Sequence, residues 1–439
     1  MNYLSLDFGT SSLKAAIIDE GYHILASSSC EYPIIQLPGE KAEISFNALL
    51  HALKNACDSI SRGLRGSIER VCYDSFSPSL VVLNKSGGFV YPNIITHLDR
   101  RSRAESKDIT DKIGNDRYLS ISGFYPFAGG CSAMTILWLK KQIPDLFHGD
   151  IIIGHLTTYL HWLITGEWMI DHVNASMLGL YKTTSQNGWS NEVIDALGLS
   201  KEWLPPIFQP GQLYGQVRKS FAKFCGIPSG IPVSIGTNDL AAAQVGAQNT
   251  KSGDMLITAG SSEMISILTN VPKTDPSYYL RNSAITGLWQ IYVTTSGGFA
   301  LEWFRKEFCR EMSKEDFYSE YLTDILLHSS SHNVSFTPYL SGNRQSLIPQ
   351  KACWSNLTLS STRDDMFLAL LSSTQYVIVD AIKHAECIIH LSDCIKIAGG
   401  MATPEYLHFK KQFAPQYQYK LVDNCPLIGN VKLLQLINP

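Results

Sequence analysis

The sequence has few charged residues and no excess of either sign. Charged side chains make up 17% of the 439 residues, and the formal net charge is −3. Proteins that bind nucleic acid present a basic surface to its phosphates, and this charge balance predicts none. No apolar run approaches the ~18 residues of a membrane-spanning helix, and the first residues do not form a basic and apolar leader. We therefore expect a protein that binds neither nucleic acid nor membrane.

Paired cysteine motifs are also missing. Ten cysteines are scattered between Cys30 and Cys425 without a C-x-x-C pair. Disulfide scaffolds are short and dense in cysteine, so we expect these thiols to be reduced and buried. The cytosol is the expected compartment.

The common glycine-rich phosphate-binding motifs do not occur. The sequence contains neither G-x-x-x-x-G-K-[ST] nor G-x-G-x-x-G. This argues against P-loop and Rossmann phosphate binding. Any phosphate contacts must come from another kind of turn.

The chain opens with a polar hairpin. An apolar strand from Tyr3 runs into Asp7-Phe8-Gly9-Thr10-Ser11-Ser12, and a second apolar strand follows to Ile18. Glycine lets a backbone approach a phosphate, which successive amides and hydroxyls then cradle. Asp7 suits a hydrated magnesium ion, which takes only one or two carboxylates. An ordinary polar turn explains the same residues equally well.

The length and one internal echo predict two lobes. A chain of 439 residues, 45% of them apolar, is too long for one ordinary core. Residues 254–268 repeat the opening theme, with Gly260-Ser261-Ser262 between two strands. We therefore predict lobes of residues 1–247 and 248–439, each presenting one phosphate-facing hairpin. Apolar spacing predicts helices over 44–60, 156–164 and 366–389.

Five short elements follow one another in a fixed order. They are Asp7-x-Gly9-Thr10-Ser11-Ser12, Gly236-x-x-Asp239, Gly260-Ser261-Ser262, Ser296-Gly297-Gly298 and Gly399-Gly400. This order resembles the FGGY carbohydrate kinases of the actin-like ATPase superfamily, above all the xylulokinase-like members. The segments Thr165-Gly166-Glu167, Asn187–Ser190 and Phe336–Arg344 are similar to stretches of that family as well. The resemblance runs nearly from end to end.

The resemblance implies a fold and a reaction. The expected fold is α/β, with two actin-like (ribonuclease H-like) lobes and a nucleotide and sugar cleft between them. The expected reaction is transfer of the γ-phosphate of ATP, with Mg²⁺, to a hydroxyl of a small sugar or polyol. A ketopentose such as D-xylulose is the first expectation, and a homodimer stays open.

The resemblance also implies residue roles. Asp239 would be the catalytic base and contact the substrate, and Asp7 would support magnesium. The phosphate contacts would come from Thr10, Ser11 and Ser12 in one lobe and from Gly260 and Ser261 in the other. The nucleotide pocket would be lined by Gly298, Gly399, Gly400 and Met401, and the sugar by Ser79, Asp99 and Arg100.

Each of these roles has a structural alternative. Asp239 would also serve as a plain helix cap. The Gly-Gly pairs would also serve as turns, and Asp99 and Arg100 would pair with each other on the surface.

The sugar side departs from the family pattern. Phe76–Leu80 stands where xylulokinases carry G-Q-M-H-G, and it has neither the Met nor the His. D-ribulose, another ketose, glycerol and a sugar acid therefore stay open as substrates. Two other functions stay open: a nucleotide-binding sensor on a degenerate kinase scaffold, and an actin- or chaperone-like ATPase.

Overall fold

The apolar runs of the sequence form strands that we number in chain order. The computed structural model describes residues 1–328, 333–340, 342–343, 346–347 and 350–438. Its strands are β1 (Asn2–Phe8), β2 (Ser12–Asp19), β3 (Ile24–Glu31), β4 (Ile35–Leu37), β5 (Lys41–Ser45), β6 (Arg70–Ser75), β7 (Ser79–Asn84), β8 (Asn93–Thr96), β9 (Ile151–His155), β10 (Ile170–Asp171), β11 (Ile207–Phe208), β12 (Leu213–Gln216), β13 (Pro232–Ser234), β14 (Thr237–Asn238), β15 (Met255–Ala259), β16 (Ser262–Thr269), β17 (Tyr279–Asn282), β18 (Trp289–Ser296), β19 (Ser335–Thr337), β20 (Cys353–Ser355), β21 (Cys394–Ala398) and β22 (Gln418–Leu421).

The helices are numbered in the same way. They are α1 (Phe46–Ser59), α2 (Arg62–Gly66), α3 (Ser106–Lys112), α4 (Asn115–Ser122), α5 (Ala133–Gln142), α6 (Leu156–Thr165), α7 (His172–Leu178), α8 (Asn191–Ala196), α9 (Lys219–Cys225), α10 (Asp239–Gly246), α11 (Gly298–Phe308), α12 (Lys314–Asp316), α13 (Leu322–His328), α14 (Arg363–Glu386), α15 (Pro404–Lys411) and α16 (Cys425–Ile437).

Two sheets with the same plan carry the fold. In the first, β1 pairs antiparallel with β2 and parallel with β6, and β3 extends the sheet beyond β2. In the second, β15 pairs antiparallel with β16 and parallel with β21, and β18 extends the sheet beyond β16. The internal echo is therefore a structural repeat, and the predicted α/β fold with two lobes is confirmed.

Apolar packing holds the opening hairpin in place. Every residue of β1 after Asn2 is buried, and so is the middle of β2. The apolar face of α1 packs in the same core, with Leu49 and Leu53 fully buried. This pattern is expected for a strand that other elements cover on both faces.

The C-terminal helix α16 returns to the first sheet. The Oγ of Ser5 donates to the carbonyl of Leu427 at 2.8 Å. A Cβ on Gly429 would lie 1.9 Å from the carbonyl oxygen of Ala242, so α10 and α16 cross closely only because glycine stands there. The boundary at 247/248 stays a prediction, and the second half contributes this helix to the surroundings of the first sheet.

The helix α14 is long and apolar enough, by length and composition, to cross a bilayer. Two thirds of its most apolar window is buried inside the protein, with Phe367 and Leu370 fully enclosed. It is therefore the core helix of the second lobe. It begins at Arg363, three residues before the predicted start, because Thr362 and Asp365 form a reciprocal capping box.

Candidate active site

The two hairpins of the repeat face one cavity of about 380 Å³. Thr10 and Ser11 line it from the first hairpin, and Gly260 and Ser261 from the second. Asp239 lies on the same wall. A volume of this size is in the range of small-molecule sites. The structure therefore brings together the predicted base and residues of both predicted phosphate turns.

The first hairpin has a tight turn. The amide of Gly9 donates to the carbonyl of Ser12 at 2.9 Å, so Ser12 closes the turn and does not line the cavity. The hydroxyl of Tyr32 donates to the carbonyl of Gly9, and the amide of Tyr32 donates to the carbonyl of Ser11 at 3.0 Å. Tyr32 thus holds both arms of the turn, which leaves Thr10 and Ser11 directed at the cavity.

A pair of carboxyl groups lies below this turn. Asp7 on β1 stands beside Asp74 on β6, and Asn430 of α16 donates to the Oδ2 of Asp74 at 2.6 Å. Burial, together with the charges of Asp7 and Asp239, raises the pKa of Asp74 well above its usual value. Burial also raises the pKa of Asp7, and Asp74 and Lys14 counteract that effect. Asp74 therefore has the stronger tendency to stay protonated, while Lys14 favours the ionised form of Asp7.

Asp239 is the first residue of α10. The helix cap is its neighbour Asn238, whose Oδ1 accepts from the amides of Leu240 and Ala241. The structure thus gives the plain capping role to Asn238 and leaves Asp239 facing the cavity. Burial and the charge of Asp7 raise the pKa of Asp239 to about 7, while the amide of Leu240 at 2.7 Å acts in the opposite direction.

The second hairpin gathers most of the predicted nucleotide residues. The amide of Gly298 donates to the carbonyl of Gly260 at 2.8 Å, and the amide of Met401 donates to the carbonyl of Ala259 at 3.0 Å. Gly399 has a φ of +110°, and a Cβ there would lie 2.4 Å from the carbonyl oxygen of Ala259. Only glycine fits at such a position. Gly399 also lines the cavity, whereas Gly400 is exposed beside it.

A buried ion pair anchors this second hairpin. Glu263, the residue after Ser262, pairs with Lys410 of α15, and both side chains are shielded from solvent. The hydroxyl of Tyr406 donates to Glu263 at 2.6 Å, and Lys410 also donates to Gln375 at 2.7 Å. The pair is therefore surrounded by hydrogen bonds, as a stable buried pair requires.

Two of the predicted sugar residues do not reach the cavity. Ser79 is fully buried, and its Oγ accepts from the amide of Leu156 at 3.1 Å. Asp99 is 2% exposed, and its carboxylate binds Arg101, which also pairs with Glu43. The sequence-based alternative, a surface pair of Asp99 with Arg100, is wrong as well, because the partner is Arg101 and the pair is buried.

Arg100 lines a second cavity. This space of about 1050 Å³ adjoins the first one, and Leu98, Ser261, Ser262 and Phe299 line both. The Nη1 of Arg100 donates to the carbonyls of His97 and Asp99. The predicted segment Phe336–Arg344 contributes Tyr339 and Leu340 to this wall, whereas Ser341 and Arg344 lie outside the described residues.

Sequence reasoning missed Asp74 and Arg281. Asp74 is the last residue but one of β6, as Asp7 is of β1. Because the carboxyl ends of parallel strands meet at one edge of a sheet, this position near the end of an apolar strand could have indicated a site residue. Arg281 lines the same cavity from the middle of β17 and has no local motif. The remaining wall comes from Phe76, Ser77 and His97.

The donor set around Asp7 fits magnesium. In the described part of the chain, no three His, Cys, Asp or Glu side chains form a group that would hold a metal by themselves. Magnesium does not need such a group, since it keeps several waters and takes one or two carboxylates together with substrate phosphates. Asp7 offers hard oxygen ligands two residues before Gly9, which lines the cavity, and its side chain is largely buried.

Comparisons with known proteins agree with this geometry. The model of the FGGY family of carbohydrate kinases, N-terminal domain, matches residues 2–246, which is more than half of the chain. The xylulose kinase of Lactococcus lactis is 25% identical over 97% of this chain and 86% of that protein. An autoinducer-2 kinase of Yersinia enterocolitica is 25% identical over 70% of this chain, and the alignment spans 59% of that kinase.

Solved structures show the same fold. The xylulose kinase of Rhodospirillum rubrum superposes with a TM-score of 0.88 at 20% identity and covers 99% of this chain and 90% of its own. The glycerol kinase of Plasmodium falciparum with ADP gives 0.83 at 20% identity, with 99% and 89% covered. The chain belongs to the FGGY family of carbohydrate kinases, phosphotransferases that use ATP and an alcohol acceptor.

Proposed function

We propose that this enzyme transfers the γ-phosphate of ATP to a hydroxyl of a small carbohydrate, with Asp239 as the base. The observation that carries the proposal is the position of Asp239 on a cavity that hairpins of both lobes face. Phosphoryl transfer depends on positioning and charge neutralisation more than on covalent help. A carboxylate between two phosphate-binding turns is suited to orient the attacking hydroxyl.

The pKa of Asp239 suits this role. Burial and the charge of Asp7 raise it to about 7, so the carboxylate is a stronger base than an exposed aspartate. It accepts the proton that the acceptor hydroxyl loses as its oxygen attacks the γ-phosphorus. Asn238 and the amide of Leu240 hold the Oδ1 of Asp239, which fixes the direction of the carboxylate.

The phosphates of ATP would lie between the two turns. Thr10 and Ser11 offer hydroxyls on one side, Gly260 and Ser261 on the other, and Lys14 adds a positive charge on the cavity wall. Asp7 would hold magnesium, which neutralises charge on the phosphates when it is bound. Gly298, Gly399 and Met401, clustered at the second hairpin, are proposed to contact the nucleotide.

The acceptor is proposed to be a sugar or polyol with about five or six carbons, which the cavity of about 380 Å³ accommodates. Among neutral acceptors, D-xylulose is the first candidate, since the likeness to a xylulose kinase extends over 97% of the chain. The wall formed by Phe76, Ser77 and His97 is where selection among acceptors is expected.

A coupled ADP-release assay tests the proposal. Magnesium and ATP are supplied with a panel of pentuloses, hexuloses, polyols and sugar acids. Turnover with one acceptor well above the background hydrolysis of ATP supports a sugar kinase. Silence across the panel, with ATP binding intact, would contradict the proposal and favour a nucleotide-binding sensor.

A further inference from the structure

Arg281 is a buried cation on the wall of the active-site cavity. Its side chain is 6% exposed and belongs to β17, the edge strand of the second sheet. No acidic side chain forms an ion pair with it among the residues that the structure describes, and its Nε has no hydrogen-bond partner there. The charge of Arg281 acts on Asp239 and lowers the pKa of that carboxyl, but the two side chains form no direct ion pair. A buried charge without a direct partner is costly, so its N–H donors are suited to an anionic group of a ligand.

Two aromatic rings fix the guanidinium. It lies 4.1 Å from the ring centroid of Tyr292 and 5.1 Å from that of Tyr279. Stacking on these rings leaves the edge of the guanidinium, with its N–H donors, for other partners. Such an edge matches the two oxygens of a carboxylate.

The surroundings place Arg281 on the acceptor side of the cavity. Burial and, to a smaller extent, the charge of Arg281 lower the pKa of His155 to about 3, while the hydrogen bond with Asn174 acts in the opposite direction. His155 hydrogen-bonds Asn174, whose Oδ1 accepts from Ser77 on the cavity wall. Arg281 therefore lies near the loop that stands where xylulokinases contact the sugar.

The phosphate side has a cation of its own. Lys14 lines the cavity from the first hairpin, opposite Asp7 on the neighbouring strand, and it lowers the pKa of that carboxyl against the larger effect of burial. Lys14 lies next to the turn that is proposed to bind the phosphates of ATP. Arg281, on another part of the cavity wall, is therefore available to bind a second anionic group.

We propose that Arg281 binds a carboxylate of the acceptor, so that the preferred acceptor is a sugar acid. This inference rests on the proposed kinase reaction and names its acceptor class. The acid group binds Arg281 through parallel N–H···O bonds, while a hydroxyl elsewhere on the chain faces Asp239. A neutral ketose or polyol of the same length would leave the guanidinium unpaired.

Matched pairs of acceptors test this preference without any mutation. D-Gluconate is compared with D-glucitol, and D-xylonate with D-xylitol and D-xylulose, by kcat/KM at saturating magnesium and ATP. We expect each acid to exceed its neutral counterpart about 10- to 100-fold, the worth of charge-assisted hydrogen bonds. Higher kcat/KM with D-xylulose or xylitol would overturn the inference and leave the kinase reaction intact.

The variant Arg281→Met then links the preference to this residue. The ratio of kcat/KM for the acid to that for the polyol should fall about 10- to 100-fold, mainly through KM of the acid. Arg281→Lys, which keeps the charge but not the planar fork, should restore part of the ratio. The control is Arg218→Met, since Arg218 also stacks on an aromatic ring, 4.4 Å from Trp162, but does not line the cavity.

Two other outcomes distinguish carboxylate binding by Arg281 from phosphate binding and from the absence of a kinase reaction. If Arg281 binds the γ-phosphate of ATP instead, Arg281→Met will raise KM for ATP or lower kcat equally with every acceptor, and the inference fails. If no acceptor is phosphorylated, calorimetry with D-gluconate decides. Binding that Arg281→Met abolishes would support the acid site and contradict the proposed reaction, and equal or absent binding would overturn the acid site too.

Discussion

The two hairpins that face the cavity have the same pattern of strand pairing but carry different side chains. In the first, Asp7 stands two residues before Gly9, opposite Lys14 on β2 and beside Asp74 on β6. In the second, Thr258 stands two residues before Gly260, opposite Met264 and beside Ala398. Three charged or titratable positions of one lobe are thus neutral in the other. We therefore propose that the first hairpin supplies charge to the reaction and that the second supplies backbone and hydroxyl contacts.

The hairpins also differ in how they are anchored. Tyr32 holds the first turn with neutral hydrogen bonds, whereas the buried pair of Glu263 and Lys410 holds the base of the second. The second hairpin, which places no charged side chain in the cavity, therefore has its charged pair at its base.

Breaking the anchor of the second hairpin should have the largest effect on stability. Lys410→Met leaves Glu263 charged and unpaired in the core, which costs about 3–5 kcal/mol of the free energy of unfolding. Adding Glu263→Gln should recover part of this loss. The matched change in the first hairpin, Tyr32→Phe, should cost about 1 kcal/mol. Urea unfolding measures all of them, and equal losses in the two hairpins would contradict the difference in anchoring.

Substitutions of Asp7 and Thr258, which occupy matching positions in the two hairpins, test whether the first hairpin supplies charge and the second does not. Asp7→Asn should lower kcat/KM about 100-fold or more, because it removes a charge that acts on the transferring group. Thr258→Val should lower it about 5-fold, the worth of one neutral hydrogen bond. Steady-state kinetics over a range of magnesium concentrations provides the comparison. Similar losses for both variants would show that the hairpins share the chemistry.

The pH dependence of kcat/KM should change when the first hairpin is altered, but not when the second is. Asp239 must be ionised to accept a proton, so kcat/KM should rise about 10-fold per pH unit below its pKa of about 7 and then level off. Asp7→Asn removes a negative charge that raises this pKa, and the break should move to lower pH. Thr258→Val should leave the break where it is. A break that stays in place in the Asp7 variant would contradict the coupling.

The last difference concerns Asp74 and depends on pH. Its pKa is raised well above 3.8 in the folded protein, so unfolding releases its proton and its contribution to stability declines as the pH rises above about 4. Asp74→Asn is always neutral and keeps the contact with Asn430. Its free energy of unfolding should therefore fall less than that of the wild type between about pH 5 and about pH 8. An equal fall in both proteins would mean that Asp74 is ionised when folded.

Local sequence patterns predict much of this architecture. The strand, glycine and hydroxyl pattern predicted both hairpins, the echo predicted the repeat, and the apolar spacing over 44–60 predicted α1 to within two residues at its start. The position of Asp239 at the start of a helix was also readable, because Asn238 and the small residues after it form a capped helix.

The site residues that the sequence did not predict correctly depend on contacts formed only in the folded protein. The position of Asp74 beside Asp7 depends on the register between β1 and β6. Arg281 depends on the ring of Tyr292 on the adjacent strand β18, together with that of Tyr279 on its own strand. Asp99 was expected to face the sugar, but Arg101 and the amide of Ala42 draw its carboxylate into the core. Side-chain direction at such positions is decided by tertiary partners.

The proposed role of Asp239 as the base is tested most directly by replacing its carboxylate. Phosphoryl transfer from ATP and the affinity for ATP are measured on the same preparations of wild type, Asp239→Asn and the exposed control Asp145→Asn. We predict that Asp239→Asn lowers kcat about 100- to 10,000-fold and leaves ATP binding intact, while the control resembles the wild type. Turnover at the wild-type rate in Asp239→Asn would show that another group is the base.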